Sequence, residues 1–124
     1  MCYIFLKKEV GLVYLLGDKS KEGVYKIGVT NGKIETRIKK LQTGNGGEIY
    51  LVNSFDTKYP FVLEKMLHTK YYGFNTTSEW YELPDEDVVG FIETCKLFQK
   101  SIDALKENHF FKKKYNKKND NLYE

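Results

Sequence analysis

Arg37 is the single arginine among the 20 lysines and arginines of this chain. Lysine meets every other cationic need, yet a planar, permanently charged, two-pronged donor can fork onto a phosphate in a way an ammonium cannot. The plain alternative is an arginine on a helix surface. Glu64 and His68 are four residues apart, so on a helix they share a face. A single carboxylate, with waters and phosphate oxygens, is enough to hold a Mg²⁺ ion; otherwise Glu64 is a solvated helix carboxylate near Lys65 and Lys70. His68 could act as a base near neutral pH, as a second metal ligand, or as a hydrogen-bonding support, and a structural histidine is an equal reading. Tyr14 and Tyr25 are 11 residues apart. On facing strands they could converge on one cleft, although the chain has 10 tyrosines and strands favour that residue.

Elements to position these groups can be read from the pattern. An apolar run at 12–16 and a second at 24–29, separated by a polar loop at 17–23, predict an antiparallel hairpin. Asn31-Gly32 ends the second strand and opens a helix, with Ile34, Ile38 and Leu41 as its buried stripe. Thr43-Gly44-Asn45-Gly46-Gly47 stops that helix, and its glycines allow close backbone approach to a ligand. A strand at 48–55 follows, then a helix from Pro60 to about residue 71 whose core face is Val62, Leu63, Met66 and Leu67. A short strand is expected at 79–83. The acidic run Pro84-Asp85-Glu86-Asp87 then starts a long amphipathic helix through Val88, Ile92, Cys95, Phe98 or Gln99, Ile102 and Leu105. A short edge strand at 3–6 completes the reading. The order β-β-α-β-α-β-α defines an α+β domain over residues 1–110. Residues 111–124, rich in Lys and Asn, read as a flexible tail.

Composition bounds the class. A hydrophobic fraction of 41% with 15% aromatic residues supports a core, and 30% charged residues keep the surface wet, as in a soluble globular domain. Apolar runs such as 3–6 and 13–16 are too short to span a bilayer, so no membrane partner is expected. No basic segment followed by an apolar stretch opens the chain, and Cys2 and Cys95 are isolated, which together predict an intracellular setting without structural zinc. The net charge of +3 decides little by itself. Its clustering says more, because Lys112, Lys113 and Lys114 interleave with Phe110, Phe111 and Tyr115, a pattern that can track a nucleic-acid backbone or simply solubilise a tail.

Val13-Tyr14-Leu15 and Tyr25-Lys26-Ile27-Gly28, followed by a helix carrying Arg37, resemble the GIY-YIG nuclease superfamily. The runs Tyr25-Lys26-Ile27-Gly28-Val29-Thr30-Asn31 and Arg37-Ile38-Lys39-Lys40-Leu41-Gln42-Thr43-Gly44-Asn45 are similar to its phage- and virus-associated branch. So are Glu64-Lys65-Met66-Leu67-His68 and Ser78-Glu79-Trp80-Tyr81-Glu82-Leu83. The resemblance spans residues 11–83 and rests on the order and spacing of these motifs. It implies a small domain with a central antiparallel sheet of about three strands, flanked by helices and closed by a long C-terminal helix. It further implies a metal-dependent endonuclease acting on DNA, with RNA not excluded, in which Arg37 grips the phosphate and Glu64 ligates Mg²⁺ or Mn²⁺. Tyr14 and Tyr25 would orient water or phosphate, one of them as general base, with His68 beside them. Lys26, Lys39, Lys40 and the 112–114 lysines are the candidate nucleic-acid contacts, and Glu79 lies near the site. Trp80 is more often a core anchor than a stacking platform. Low sequence specificity is expected, since relatives that choose their sites carry a further recognition domain. The contrasting expectation is a catalytically silent module of the same shape that binds nucleic acid or a host protein. The oligomeric state is not legible.

Overall fold

The structure is a computed structural model that describes residues 10–107. The strand expected at 3–6, Cys2, His109, the tail from 111 and the three lysines Lys112, Lys113 and Lys114 lie outside the described residues. Five antiparallel strands form one sheet in the order β3-β1-β2-β5-β4. They are β1 (Gly11–Asp18), β2 (Lys21–Thr30), β3 (Ile49–Thr57), β4 (Asn75–Thr77) and β5 (Trp80–Glu82). The helices are α1 (Ile34–Thr43), α2 (Pro60–Lys70), α3 (Asp85–Val89) and α4 (Phe91–Glu107), with a 3-10 turn at Tyr72–Phe74. The α+β class and the long C-terminal helix agree with the sequence reading; the strand number does not, being five where about three were expected. β5 answers to the short strand expected at 79–83, whereas β4, with three residues, is too short for alternating hydrophobicity to announce it. Gly90 separates α3 from α4, where one continuous helix was read. Among the described residues no helix is long and apolar enough to cross a membrane.

Strand alternation divides the core between the two faces of the sheet. Val13, Leu15 and Ile27 meet Leu63 and Leu67 of α2 and Phe91, Cys95 and Ile102 of α4. On the other face Tyr14, Leu16 and Ile49 are covered by Ile34, Ile38 and Leu41 of α1. The three α1 side chains are only half buried, as suits a single short helix lying across an otherwise open face. Cys95 is fully buried and desolvation pushes its thiol up to about 12, so it fills core volume rather than serving as a nucleophile. Leu105, expected in the buried stripe of the last helix, is exposed.

The β1–β2 connection is tighter than the seven-residue loop predicted. Lys19 and Ser20 alone join the strands. Asp18 makes this possible: its buried carboxylate accepts the Ser20 backbone N–H (2.8 Å) and hydroxyl (2.7 Å) on one oxygen and the Asn45 amide (2.9 Å) on the other. Gln42 donates to the Gly47 carbonyl (2.8 Å) and accepts the Ile49 N–H (2.8 Å), so the loop after α1 is tied to the hairpin turn. A side chain at Gly47 would run into Asp18 and Ser20. The glycine-rich run after α1 therefore closes a structural joint. These hydrogen bonds hold the Asp18 carboxyl below the usual carboxylate range. A depressed acid stabilises the fold above its unfolded pKa and loses that contribution as pH falls through the folded value. Asp18→Ala is expected to lose about 2 kcal/mol at neutral pH, from lost charge-assisted bonds. Urea unfolding should show the gap to wild type narrowing under acid; a constant gap would remove the ionised carboxylate from the explanation.

Candidate functional site

Arg37 closes the first turn of α1, over the β1–β2 face that α1 covers. Its Nε donates to the Tyr14 hydroxyl oxygen at 3.2 Å. Tyr14 is fully buried, and its ring lies where a side chain at Gly28, its partner across the strands, would have to be. Glycine at 28 is thus required by close approach. Burial pushes the Tyr14 phenol up, and the hydrogen bond and charge of Arg37 offset only part of that rise. Tyr14 is accordingly a protonated donor at neutral pH rather than a ready base. With Nε committed, the two terminal nitrogens of Arg37 remain to fork onto an oxyanion.

Tyr25 does not join Tyr14. Strand neighbours alternate between faces, and Tyr14 pairs with Gly28, so Lys26 and Gly28 share the Tyr14 face while Tyr25 and Ile27 turn to the other. Tyr25 packs against the α2/α4 core, and the groups acting on its phenol besides burial are Tyr50, Asp85 and Glu22, none of them at the site. The expected convergence of two tyrosines is therefore corrected: the residue beside the site is Lys26. Its ammonium is 3.4 Å from the Glu79 carboxylate and 5.5 Å from the centre of the Trp80 ring, with the side chain only 12% exposed. Trp80 is half buried on β5, paired with Lys26 on one side and Thr77 on the other, and lies outside the core clusters.

Glu64 reaches this region from α2, where Phe61, Glu64 and His68 form one stripe at helical spacing. The β5 ladder with β2 ends at Lys26 and one further bond runs from the Ile27 N–H to the Glu79 carbonyl (3.2 Å), which leaves the Ile27 carbonyl for another partner. His68 is that partner: its Nε2 lies 3.2 Å from the Ile27 carbonyl oxygen and 3.7 Å from Glu64 Oε2. A carbonyl can only accept, so Nε2 carries the proton in this contact. That nitrogen is then committed to a support role and is not a metal ligand in this geometry. The His68 ring also packs 5.5 Å from that of Tyr81. Burial pushes the Glu64 carboxyl up; His68, Lys26 and Arg37 pull it down while Glu79 raises it, so charges from α1, α2, β2 and the β4–β5 loop are all felt at this carboxylate. Asn75 donates to the Ser78 (2.8 Å) and Trp80 (3.1 Å) carbonyls and fixes the β4–β5 turn.

Among the described residues there is no group of three or more His, Cys, Asp or Glu that could form a cage. A desolvated carboxylate further opposed by Glu79 does fit a hard ion completed by water and phosphate oxygens. Lys39 and Lys40 lie on the exposed side of α1, with Lys40 close enough to Arg37 to line the same depression. Sequence reasoning missed the Asp18–Gln42–Asn45 joint and Phe61. The Asp-x-Ser step at the turn was the available signal for the joint; an aromatic in the first turn of an amphipathic helix gave none for Phe61.

The described domain is thus an α1-capped antiparallel sheet with an Arg–Tyr–Glu cluster where the β2–β5 ladder ends. Residues 11–96 match the family described as the T5orf172 domain, and the chain belongs to it. No curated protein and no solved structure matches the chain.

Proposed function

We propose that this domain is a metal-dependent endonuclease of the GIY-YIG kind that hydrolyses DNA phosphodiester bonds with low intrinsic sequence specificity. The observation that carries the reading is the Arg37–Tyr14 hydrogen bond, which occupies Nε and leaves the two terminal nitrogens for an oxyanion, with the Arg37 charge felt at the Glu64 carboxylate. Arg37 holds the phosphate by two non-bridging oxygens and stabilises charge that develops on them. Tyr14, fully buried, fixes the plane of the guanidinium from below. Lys26 adds positive charge where Tyr25 was expected to act, and His68 holds the Glu64 side of the site against the β2 edge. Mg²⁺ or Mn²⁺ at Glu64 would supply Lewis-acid stabilisation of the departing oxygen. Contacts to phosphate carry no sequence information, which accounts for the low specificity.

Plasmid nicking with Mg²⁺ or Mn²⁺, against an EDTA control and beside Arg37→Ala and Glu64→Ala, tests the reading. Metal-dependent nicking by wild type alone is the expected result. DNA binding without cleavage in all three proteins would establish the silent binding module instead. The face assignment gives a sharper expectation. Tyr25→Phe should nick at close to the wild-type rate, whereas Lys26→Ala should lose on the order of a hundredfold, the scale of removing one donor from a preorganised site. Initial rates with these roles exchanged would put Tyr25 back at the site.

A further inference from the structure

Two depressions flank Lys40 on the α1 face. One, about 480 Å³, runs from Lys33 and Arg37 across to Phe61. The other, about 340 Å³, ends at Lys26 and Trp80. Each joins cationic side chains to one aromatic ring, no Asp or Glu lines either among the described residues, and Lys40 belongs to both. Phe61 is 48% exposed, held out at the first turn of α2 by the same stripe that presents Glu64. No ion pair neutralises Lys33 or Lys40 among the described residues.

From this pairing we infer a substrate class: unpaired nucleotides, with one base against Phe61, the next against Trp80, and the connecting phosphate on the Arg37–Lys40 ridge between them. The inference rests on Arg37 engaging phosphate, as proposed above. Alternating cations and aromatic faces suit a single strand, whose bases are free to stack on side chains. In a duplex those faces are buried in the base stack, and only an extruded base could meet either ring. Charge complementarity selects a polyanion, and the aromatic ring in each depression selects one that carries flat apolar faces. Both depressions are large enough for a base, being at or above the lower range of small-ligand sites.

Trp80 is the only tryptophan in the chain, so its emission reports on one depression directly. The full-length protein is titrated in EDTA with an oligothymidylate and, separately, with a blunt duplex of equal length. The single strand should quench Trp80 and bind about tenfold or more tighter than the duplex, given the usual worth of one or two stacked bases. Phe61→Ala should weaken single-strand binding by about tenfold, with Phe61→Tyr restoring it and thermal melting unchanged for both. Equal binding of duplex and single strand, absence of quenching, or an unaffected Phe61→Ala variant each overturns the inference. Because nothing is cut in EDTA, this result separates from the nicking assay. Cleavage with no single-strand preference would sink the base sites and leave the nuclease, while single-strand binding without cleavage would do the reverse.

Discussion

Arg37→Lys is expected to lower the metal-dependent nicking rate on the order of a hundred- to a thousandfold, although it keeps the charge. The reason lies in how the guanidinium is divided: Nε bonds Tyr14 at 3.2 Å and the terminal nitrogens are left for phosphate. An ammonium on a shorter, flexible stem cannot satisfy both at once. It would either desert the buried Tyr14 hydroxyl, costing about 1 kcal/mol of stability, or hold Tyr14 and reach phosphate poorly. DNA affinity at low salt should fall much less than rate, since long-range attraction depends on charge and not on geometry. A lysine variant retaining half the wild-type rate would show that Arg37 contributes only charge, and the two-pronged role would have to be abandoned.

The second large effect is at Glu64, where activity and stability should move in opposite directions. Glu64→Gln is expected to abolish metal-dependent nicking and, at neutral pH without metal, to stabilise the fold by roughly 0.5–2 kcal/mol, the range of other stabilising changes at functional sites. Burial is the main cause of the raised Glu64 pKa, with the Glu79 charge adding to it. The sign follows. Below the ordinary glutamate pKa both folded and unfolded chains hold the proton, and the variant gains nothing. As pH climbs, the unfolded chain ionises first, so wild type loses stability relative to the glutamine variant until the folded pKa is passed. Added Mg²⁺ should then recover stability in wild type and not in Glu64→Gln, because a ligand stabilises only the state that binds it. Urea unfolding at acidic and neutral pH, with and without Mg²⁺, reads all of this. A variant less stable than wild type at neutral pH would mean the carboxylate is a structural partner of His68 and not a desolvated site group.

What the sequence disclosed and what it hid differ by the range of the interaction responsible. The hairpin, α1 and α2 were legible because each shows its own period, and the spacing from Glu64 to His68 survives in the structure as a 3.7 Å contact. Strand-like β5 was visible, but its partner β4 was not, since Asn75–Thr77 is exposed throughout and its Asn75 bonds are made with a turn rather than a core. The break at Gly90 hid inside a continuous amphipathic pattern. Within the site, Arg37 stood out by its rarity and Glu64 by its motif; Arg37 bonds Tyr14, and the Glu64 charge is felt there as well. Tyr25 failed for a reason no local pattern carries: which of two adjacent strand residues faces a given side depends on register.

That register is set by a small irregularity at the start of β2. At the turn Asp18 pairs with Lys21, yet one step along Gly17 pairs with Tyr25, so residues 22–24 bulge out, with Gly23 at a φ of +82°. Had the pairing continued evenly from the turn, Tyr14 would face Tyr25 directly and Lys26 would point to the opposite side. The length of a surface bulge therefore works as a selector, choosing whether a phenol or an ammonium is delivered beside Arg37 without any change to either residue. Insertions and deletions in this hairpin are a route by which such a domain can exchange one site chemistry for another.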